Sequence, residues 1–288
     1  MKKYMLHIIC CLISLVLLAG CISSQTDSSS KYRGTLLFRN SATSSGEEIQ
    51  SLMKIELPGT EQTPLGINGF NARFANSKDK ILVEQTSNIC FYNTSNNELS
   101  PIYSKRSSSS VFSSISFVDE NRFTIVEGAN LFLFNIHNKE KQLLADDIGN
   151  SVHDTNNRFV YYSINPKPDV HKICRVDIET GDTEILFNGI RPKVSKDGRL
   201  IAYYTFKTGN ELVVKNIETE QSWTYSRSGV VNYCFSPDGH SLAIVAPWNG
   251  NGYYDGKSIY IWDYETNQES VILQKYASGQ CIDIDWIE

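Results

Sequence analysis

The chain has 288 residues, with 27 Lys and Arg against 32 Asp and Glu, so its formal net charge is −5. Removing residues 1–20, which carry two lysines and no acid, leaves 25 bases against 32 acids, or −7. This mildly acidic balance argues against a nucleic-acid partner, because such binders usually display a basic stripe. Hydrophobic residues at 41% and charged residues at 20% indicate a globular chain, and the abundant Tyr and Phe favour strands.

The N-terminus has the pattern of an export signal. A basic start precedes residues 8–18, which are apolar apart from one serine and too few to span a membrane as a helix. Leu18-Ala19-Gly20-Cys21 resembles a bacterial lipobox. The resemblance implies that residues 1–20 are a lipoprotein signal peptide and that Cys21 becomes the lipidated first residue. An ordinary signal peptide with an incidental cysteine is the alternative.

The lipobox resemblance also implies a location. Ile22 stands where an Asp would indicate retention at the inner membrane of a Gram-negative cell, so the outer membrane, facing the periplasm, is the expected site. Residues 23–30 are Ser-Ser-Gln-Thr-Asp-Ser-Ser-Ser and have nothing to bury, so residues 21–31 form the lipidated cysteine and a flexible tether. The membrane partner is expected to be reached through the acyl chains at Cys21.

Four cysteines follow Cys21 in the chain: Cys90, Cys174, Cys234 and Cys281. An export compartment permits disulfides, and four cysteines allow three full pairings. Buried free thiols that act as small hydrophobic residues are the favoured interpretation. The sequence contains no C-x-x-C or H-x-x-x-H pair, so we expect no zinc site, no other metal and no cofactor.

An internal repeat organises the rest of the chain. Each copy is a strand, a tight polar turn and a second strand, and Asp-Gly or Asn-rich turn centres tolerate the positive φ of a hairpin. The clearest copies are residues 235–245 and 194–204, and degenerate copies begin at Phe74, Phe117 and His153. In this alignment His153 occupies the position that Phe holds in three other copies.

A second signature follows each hairpin: an apolar strand ending in Asp or Asn. These residues are Asn93, Asn135, Asp177, Asn216 and Asp263, at intervals of 42, 42, 39 and 47 residues. An Asp or Asn there can bond its own backbone and start a turn. The interval is typical of four-stranded propeller blades, and helical periodicity is nowhere sustained.

A sixth blade can be assembled from the two ends of the chain. Residues 34–39 and 55–60 supply outer strands, with Glu56 at the Asp position, and residues 280–287 supply a first strand with no blade after it. Pairing them closes the ring and removes a free sheet edge. We therefore predict an all-β fold, a six-bladed β-propeller over residues 32–288, closed by N- and C-terminal strands in one blade. No copy for a seventh blade is found.

The hairpins carry a family resemblance. Ser236-Pro237-Asp238-Gly239 and Ser195-Lys196-Asp197-Gly198 resemble the turns of TolB-type, WD-repeat-like bacterial propellers. The resemblance covers about nine-tenths of the chain and implies the propeller fold. It does not extend to the N-terminal α/β domain of the TolB family, for which this chain has no room, and fold likeness does not carry partners over.

Variable loops between the second and third strands of the blades are the candidate binding sites. The fifth repeat carries Trp248, Tyr253, Tyr254 and Asp255 on a long Gly-rich loop, where aromatic side chains suit a protein contact or stacking on a sugar. The third repeat carries Lys167 and His171 on a second such loop. The alternative is that the loop aromatics pack on their own neighbours. Asp255 with Asp169 supplies too few oxygens for calcium.

The central channel is the remaining candidate. His153 and Arg191 can line it, although a packed structural histidine is the alternative, and no nucleophile elbow or phosphate-cradling loop accompanies them. We therefore predict no catalytic residues. The first hypothesis is a non-enzymatic envelope lipoprotein whose propeller binds an envelope protein or glycan. The second is an enzyme acting on polysaccharide or peptide through the channel, and the third is a structural spacer.

Overall fold

Strands dominate the part of the chain that the computed structural model describes, which comprises residues 31–44, 47–75, 77–104, 114–167, 169–205, 211–248, 256–277 and 283–288. In chain order they are β1 (Gly34–Ser44), β2 (Glu47–Leu57), β3 (Gln62–Asn68), β4 (Asn71–Phe74), β5 (Lys80–Glu84), β6 (Asn88–Asn93), β7 (Glu98–Ser104), β8 (Ile115–Asp119), β9 (Arg122–Glu127), β10 (Asn130–Asn135), β11 (Lys141–Ala145), β12 (Ile148–Thr155), β13 (Phe159–Lys167), β14 (Val170–Asp177), β15 (Thr183–Asn188), β16 (Ile190–Val194), β17 (Leu200–Tyr204), β18 (Leu212–Asn216), β19 (Ser222–Tyr225), β20 (Asn232–Phe235), β21 (Ser241–Pro247), β22 (Lys257–Asp263), β23 (Gln268–Ala277) and β24 (Ile284–Ile287). Within these ranges no helix is long and apolar enough to cross a membrane.

The described strands form six antiparallel sheets of four strands each. Blade I has the order β24-β1-β2-β3, and blades II to VI follow along the chain as β4–β7, β8–β11, β12–β15, β16–β19 and β20–β23. Within each blade the strands are called A to D from the ring centre outwards. The predicted all-β, six-bladed propeller is confirmed.

Blade I closes the ring with strands from both ends of the described chain. Strand β24 pairs antiparallel with β1, placing Thr35 opposite Ile287 and Phe38 opposite Ile284. The predicted closure, with the C-terminal strand innermost, is confirmed. Strand β1 therefore has a partner on both sides, and no free edge is left at the junction.

The core lies between neighbouring blades. The apolar side chains of the described residues form six clusters, and each cluster joins two adjacent blades. Alternation along a strand explains this arrangement, because Leu36 and Phe38 belong to the cluster shared with blade VI while Leu37 belongs to the cluster shared with blade II. Because both faces of a blade are buried, apolar residues occupy consecutive positions along its strands.

The Asp and Asn residues of the second signature start the turns between strands C and D. Asp177 Oδ1 accepts hydrogen bonds from the backbone N–H groups of Glu179 and Thr180, at 2.9 and 3.2 Å. Asn216 Oδ1 does the same for Glu218 and Thr219, at 2.9 and 3.0 Å. The sequence argument for these side chains is therefore confirmed at the atomic level.

The turns between strands A and B are built by one repeated set of contacts. In blade VI, Ser236 Oγ donates to Asp238 Oδ1 at 2.6 Å and accepts from Ser241 N at 2.9 Å. Gly239 completes the turn with a φ of 78°, in the left-handed region that glycine adopts without steric cost. Blade V repeats these contacts with its own serine, aspartate and glycine.

One position in the repeat alignment is wrong. Thr155 pairs with Val160 as Phe74 pairs with Ile81, so Thr155 and not His153 is the counterpart of Phe74. The turn between β12 and β13 is two residues shorter than the turn between β4 and β5, and this shortening shifted the alignment.

Candidate functional site

The face that carries the turns between strands B and C, called the B–C face, holds the predicted loop residues. Strands β13 and β14 extend there as a hairpin in which exposed Lys167 pairs with Val170. His171 is half-buried, and its Nδ1 is hydrogen-bonded to Asn165 Oδ1. Lys167 and His171 therefore lie on one hairpin of blade IV.

Trp248 follows β21 in blade VI on the same face. It is half-buried and packs against the cluster that joins blades V and VI. Its backbone N–H donates to Gly256 O at 3.1 Å, and its carbonyl accepts from Arg227 Nη1 at 3.4 Å. Tyr253, Tyr254 and Asp255 lie outside the described residues, as does Cys21.

The two predicted channel residues occupy different surroundings. His153 is 0% exposed, and its Nε2 lies 2.6 Å from Thr124 Oγ1 in the neighbouring blade. Arg191 is half-buried with a φ of 57°, and its guanidinium lies 5.9 Å from the centre of the Tyr204 ring. Within the described chain, neither side chain lines the central cavity.

The central cavity opens on the other face, called the A–B face because it carries the turns between strands A and B. It has a volume of about 440 Å³. Its rim includes Lys78, Asn157, Lys196 and Pro237 from four A–B turns, together with Glu288. The short A–B turns therefore surround the mouth of the channel.

Six residues at one level of the innermost strands form what we call the channel ring. Each stands one place before the counterpart of Phe74 in its blade, as the strand registers show. From blade I to blade VI they are Asp285, Arg73, Ser116, Asp154, Lys193 and Cys234. All except Lys193 line the cavity, so the channel floor is polar and carries both signs of charge.

Most of the charged groups of the ring are held across blade boundaries. Arg73 Nη1 donates to Asp283 Oδ1 at 2.5 Å, and Asp283 Oδ2 also accepts from Ala72 N at 2.6 Å. Asp285 Oδ2 accepts from Phe74 N at 2.7 Å. Asp154 accepts from Val194 N at 3.0 Å and from Ser116 Oγ at 3.1 Å. Carboxylates of one blade thus accept hydrogen bonds from backbone N–H groups of another.

Burial shifts the pKa values of the charged side chains in the channel ring. It raises the pKa of Asp285, against the opposing effect of the Arg73 charge. It lowers the pKa of Lys193, and the Arg73 charge lowers it further. The pKa of Arg73 is raised because Asp283 and Asp285 outweigh its own burial, so this guanidinium stays charged.

Sequence reasoning missed the channel ring. A usable signal existed, since Arg73 and Lys193 immediately precede the aligned Phe74 and Val194 at the ends of apolar strands. The shifted alignment in the fourth blade hid Asp154, and Asp285 belongs to a blade split between the two ends of the chain.

The described cysteines agree with the favoured interpretation from the sequence. Cys90, Cys174 and Cys234 are buried free thiols, while Cys281 lies outside the described residues. Burial raises the pKa of Cys174 to about 11. No group of three or more His, Cys, Asp or Glu in the described ranges is arranged to hold a metal ion.

Residues 31–33, called the strap, enter blade I where the other blades have an A–B turn. Lys31 Nζ lies 2.5 Å from Asp263 Oδ2, and Trp286 Nε1 donates to Arg33 O at 2.9 Å. The Tyr32 ring is buried and meets the Trp286 ring edge-on, with centroids 6.2 Å apart. The strap therefore fixes the start of the domain on the A–B face.

No protein-family model matches the sequence, and no curated protein sequence matches it. The fold, however, is shared with solved six-bladed propellers. TolB from Acinetobacter baumannii is similar with a TM-score of 0.74 and 13% identity, over 88% of this chain and 66% of that protein. This chain thus spans just under two thirds of that TolB.

Two further structures are similar over nearly their whole length. A chain of the nidogen/laminin complex has a TM-score of 0.68 at 11% identity, over 88% of this chain and 98% of its own. The putative TolB from Agrobacterium tumefaciens has a TM-score of 0.62 at 12% identity, with coverage of 89% and 99%. The chain therefore has a TolB-like six-bladed β-propeller fold, and at these identities the likeness is one of fold.

Proposed function

We propose that this protein is a non-enzymatic lipoprotein of the cell envelope, anchored through Cys21 in the outer membrane on its periplasmic side. Its domain organisation is then a signal peptide over 1–20, a lipidated tether over 21–31 and a propeller over 32–288. The propeller binds an envelope protein or glycan through its B–C face.

The observation that carries this proposal is the position of the strap. Residues 31–33 attach the start of the domain to the A–B face, opposite the hairpins with Lys167 and Trp248. Ten residues from 21 to 30 span at most about 35 Å when fully extended. An anchor at Cys21 would therefore join the domain at its A–B face, and the B–C face lies on the side away from this attachment point.

The similarity to a solved protein–protein complex independently supports a protein as the partner. One structure with a similar fold is a chain of the nidogen/laminin complex, so a propeller of this kind occurs in a protein–protein complex. In this chain the B–C face offers an aromatic side chain and a lysine on hairpins fixed by a rigid ring, and such residues anchor many interfaces.

The partner site is tested by crosslinking and pull-down from intact envelopes. Replacing Trp248, Tyr253 and Tyr254 with Ala, or Lys167→Ala alone, is expected to reduce capture of the partner. The melting temperature of each variant shows whether it is folded.

Lys196→Ala is the matched control, because this lysine is also exposed but lies on the A–B face. Capture should be unchanged in this variant. Undiminished capture by the aromatic variant, or a loss only with Lys196→Ala, would place the partner elsewhere.

The anchor has its own test. Cys21→Ser is expected to abolish metabolic labelling with a clickable palmitate and to move the protein from the membrane to the soluble fraction. Labelling that survives this substitution contradicts the anchor and leaves the partner site untouched.

A further inference from the structure

The side chain of Arg191 differs from those of the other described arginines. Strand β16 begins at Ile190, directly after a connection that reaches the B–C face, because neighbouring strands of a blade run antiparallel. The guanidinium groups of the other described arginines each donate to a carboxylate or a backbone carbonyl. Within the described residues, the Arg191 guanidinium forms no hydrogen bond and no ion pair, and it lies beside the Tyr204 ring.

The backbone of Arg191 is held in an uncommon conformation. Its φ of 57° is in the left-handed region, and the other described non-glycine residues with positive φ lie in turns or loops and not inside a strand. A register shift between Ile190 and Lys193 marks a bulge here. Two neighbouring blades fix this backbone, since Ser163 Oγ accepts from its N–H at 3.2 Å and Tyr233 OH donates to its carbonyl at 2.5 Å. Bulges and strained residues often serve to re-aim a functional side chain.

The fold itself makes little use of the Arg191 side chain. The bonds to Ser163 and Tyr233 involve only its backbone atoms. Its guanidinium lies 5.9 Å from the centre of the Tyr204 ring, close to the outer limit for a cation–π contact. A glycine would adopt the same φ without the crowding of a Cβ. The need for an arginine at this strained position therefore comes from outside the described fold.

Arg191 lies among the proposed contact residues of the B–C face. Blade V is between blade IV, which carries Lys167, and blade VI, which carries Trp248. The Arg191 side chain is half-buried, so an ion pair with a carboxylate would be screened less by water than a fully exposed pair. Its planar guanidinium can bind both oxygens of a carboxylate at once. Arginine and tryptophan are also enriched among the residues that dominate the energetics of protein interfaces.

We propose that Arg191 binds a carboxylate of a protein partner, the side chain of an aspartate or glutamate, at the centre of the B–C face. This inference rests on the proposed function and narrows its partner to a protein that places an acidic residue in the interface. Ser163 and Tyr233 fix the Arg191 backbone before the partner arrives, so less freedom is lost when the ion pair forms.

Zero-length crosslinking of Arg191→Lys in isolated envelopes tests this contact. The substitution keeps the positive charge and supplies an amine, which a carbodiimide couples to a carboxylate only when the two groups touch. Mass spectrometry of the adduct is expected to join position 191 to an aspartate or glutamate of one partner protein. Lys196 is the matched control, since it is an exposed lysine on the A–B face and should give no adduct with that protein.

The same crosslinks separate this inference from the proposed function. Partner adducts at Lys167 but none at position 191 would overturn the role of Arg191 and leave the B–C face as the partner surface. An adduct at position 191 that carries an acidic sugar, or only a carboxylate of this chain, would also overturn it. Partner adducts at neither position would contradict the proposed function as well.

Arg191→Gly separates recognition from folding. It is expected to weaken binding of the crosslinked partner on the order of tenfold and to make that binding less sensitive to salt. The melting temperature should stay close to that of the wild type, because the backbone bonds are kept and glycine relieves the strain. Arg191→Lys should retain part of the affinity, since it keeps the charge but not the planar fork. Unchanged affinity of Arg191→Gly, or a loss matched by a large fall in melting temperature, would contradict the proposal.

Discussion

At the scale of single residues, the A–B turns depend on glycines with positive φ. Gly239 and Gly198 have φ values of 78° and 75°. A Cβ at Gly239 would meet Ser195 Cβ at an ordinary 3.8 Å, but a Cβ at Gly198 would lie 2.0 Å from Asn156 Nδ2. Asn156 also shapes the neighbouring turn, since its Oδ1 accepts from Phe159 N at 2.9 Å.

Gly239→Ala is therefore expected to cost about 1–2 kcal/mol of unfolding free energy from backbone strain alone. Gly198→Ala should cost more, because it also displaces Asn156. Urea unfolding followed by tryptophan fluorescence measures both. Equal costs would show that Asn156 moves aside freely.

At the scale of an element, the strap is held by a charge that depends on pH. Burial tends to raise the pKa of Asp263, but hydrogen bonds from Lys31 and from the Thr266 backbone outweigh it and the pKa is lowered. A carboxylate with a lowered folded-state pKa adds stability at neutral pH. That stability is lost as the pH falls through the folded-state value.

Asp263→Asn keeps an oxygen for Thr266 N but loses the ion pair with Lys31. At pH 7 we expect a loss of under about 1 kcal/mol, because the Lys31 side chain is 56% exposed. The difference between the two proteins should be smaller at about pH 3 than at pH 7, because acidification protonates the wild-type carboxyl first in the unfolded state and, at its lower pKa, afterwards in the folded state. Urea titrations at both pH values measure it, and a difference that grows on acidification would refute the role of the pair.

At the scale of the whole molecule, stability rests on closure of the ring by β24. Trp286 is buried in the cluster between blades I and VI, whereas Trp223 lies half-buried on the outer strand β19. Trp286→Ala is expected to cost about 3–5 kcal/mol, the usual range for a buried aromatic residue. Trp223→Ala should cost less, although its ring also touches Tyr264, with centroids 5.0 Å apart.

Hydrogen exchange distinguishes a general loss of stability from an opening of the ring. In Trp286→Ala the amides of β1 and β21 should lose protection first, because these strands flank the weakened cluster. Uniform loss of protection over all blades would mean that closure is not a separate event.

The blades could be predicted from contacts between residues close in sequence, whereas the residues of the channel ring come together only in the closed ring. Asp177 and Asn216 start their turns by bonding nearby backbone, so their spacing alone reveals the period. Arg73 and Lys193 come into one group of interacting charges only when blades far apart in sequence meet at the centre. The shortened turn after Thr155 moved one row of the alignment by two residues, which was enough to hide Asp154.

The three buried thiols have a consequence for biogenesis. Cys90, Cys174 and Cys234 are buried in blades II, IV and VI, so the finished ring keeps them apart. A chain exported unfolded would present the same thiols to an oxidising compartment before any blade has formed. Every disulfide made among these three at that moment would be non-native. The yield of native protein would then depend on whether folding is faster than oxidation of the thiols. A reductant present during refolding should therefore raise this yield without changing the native protein.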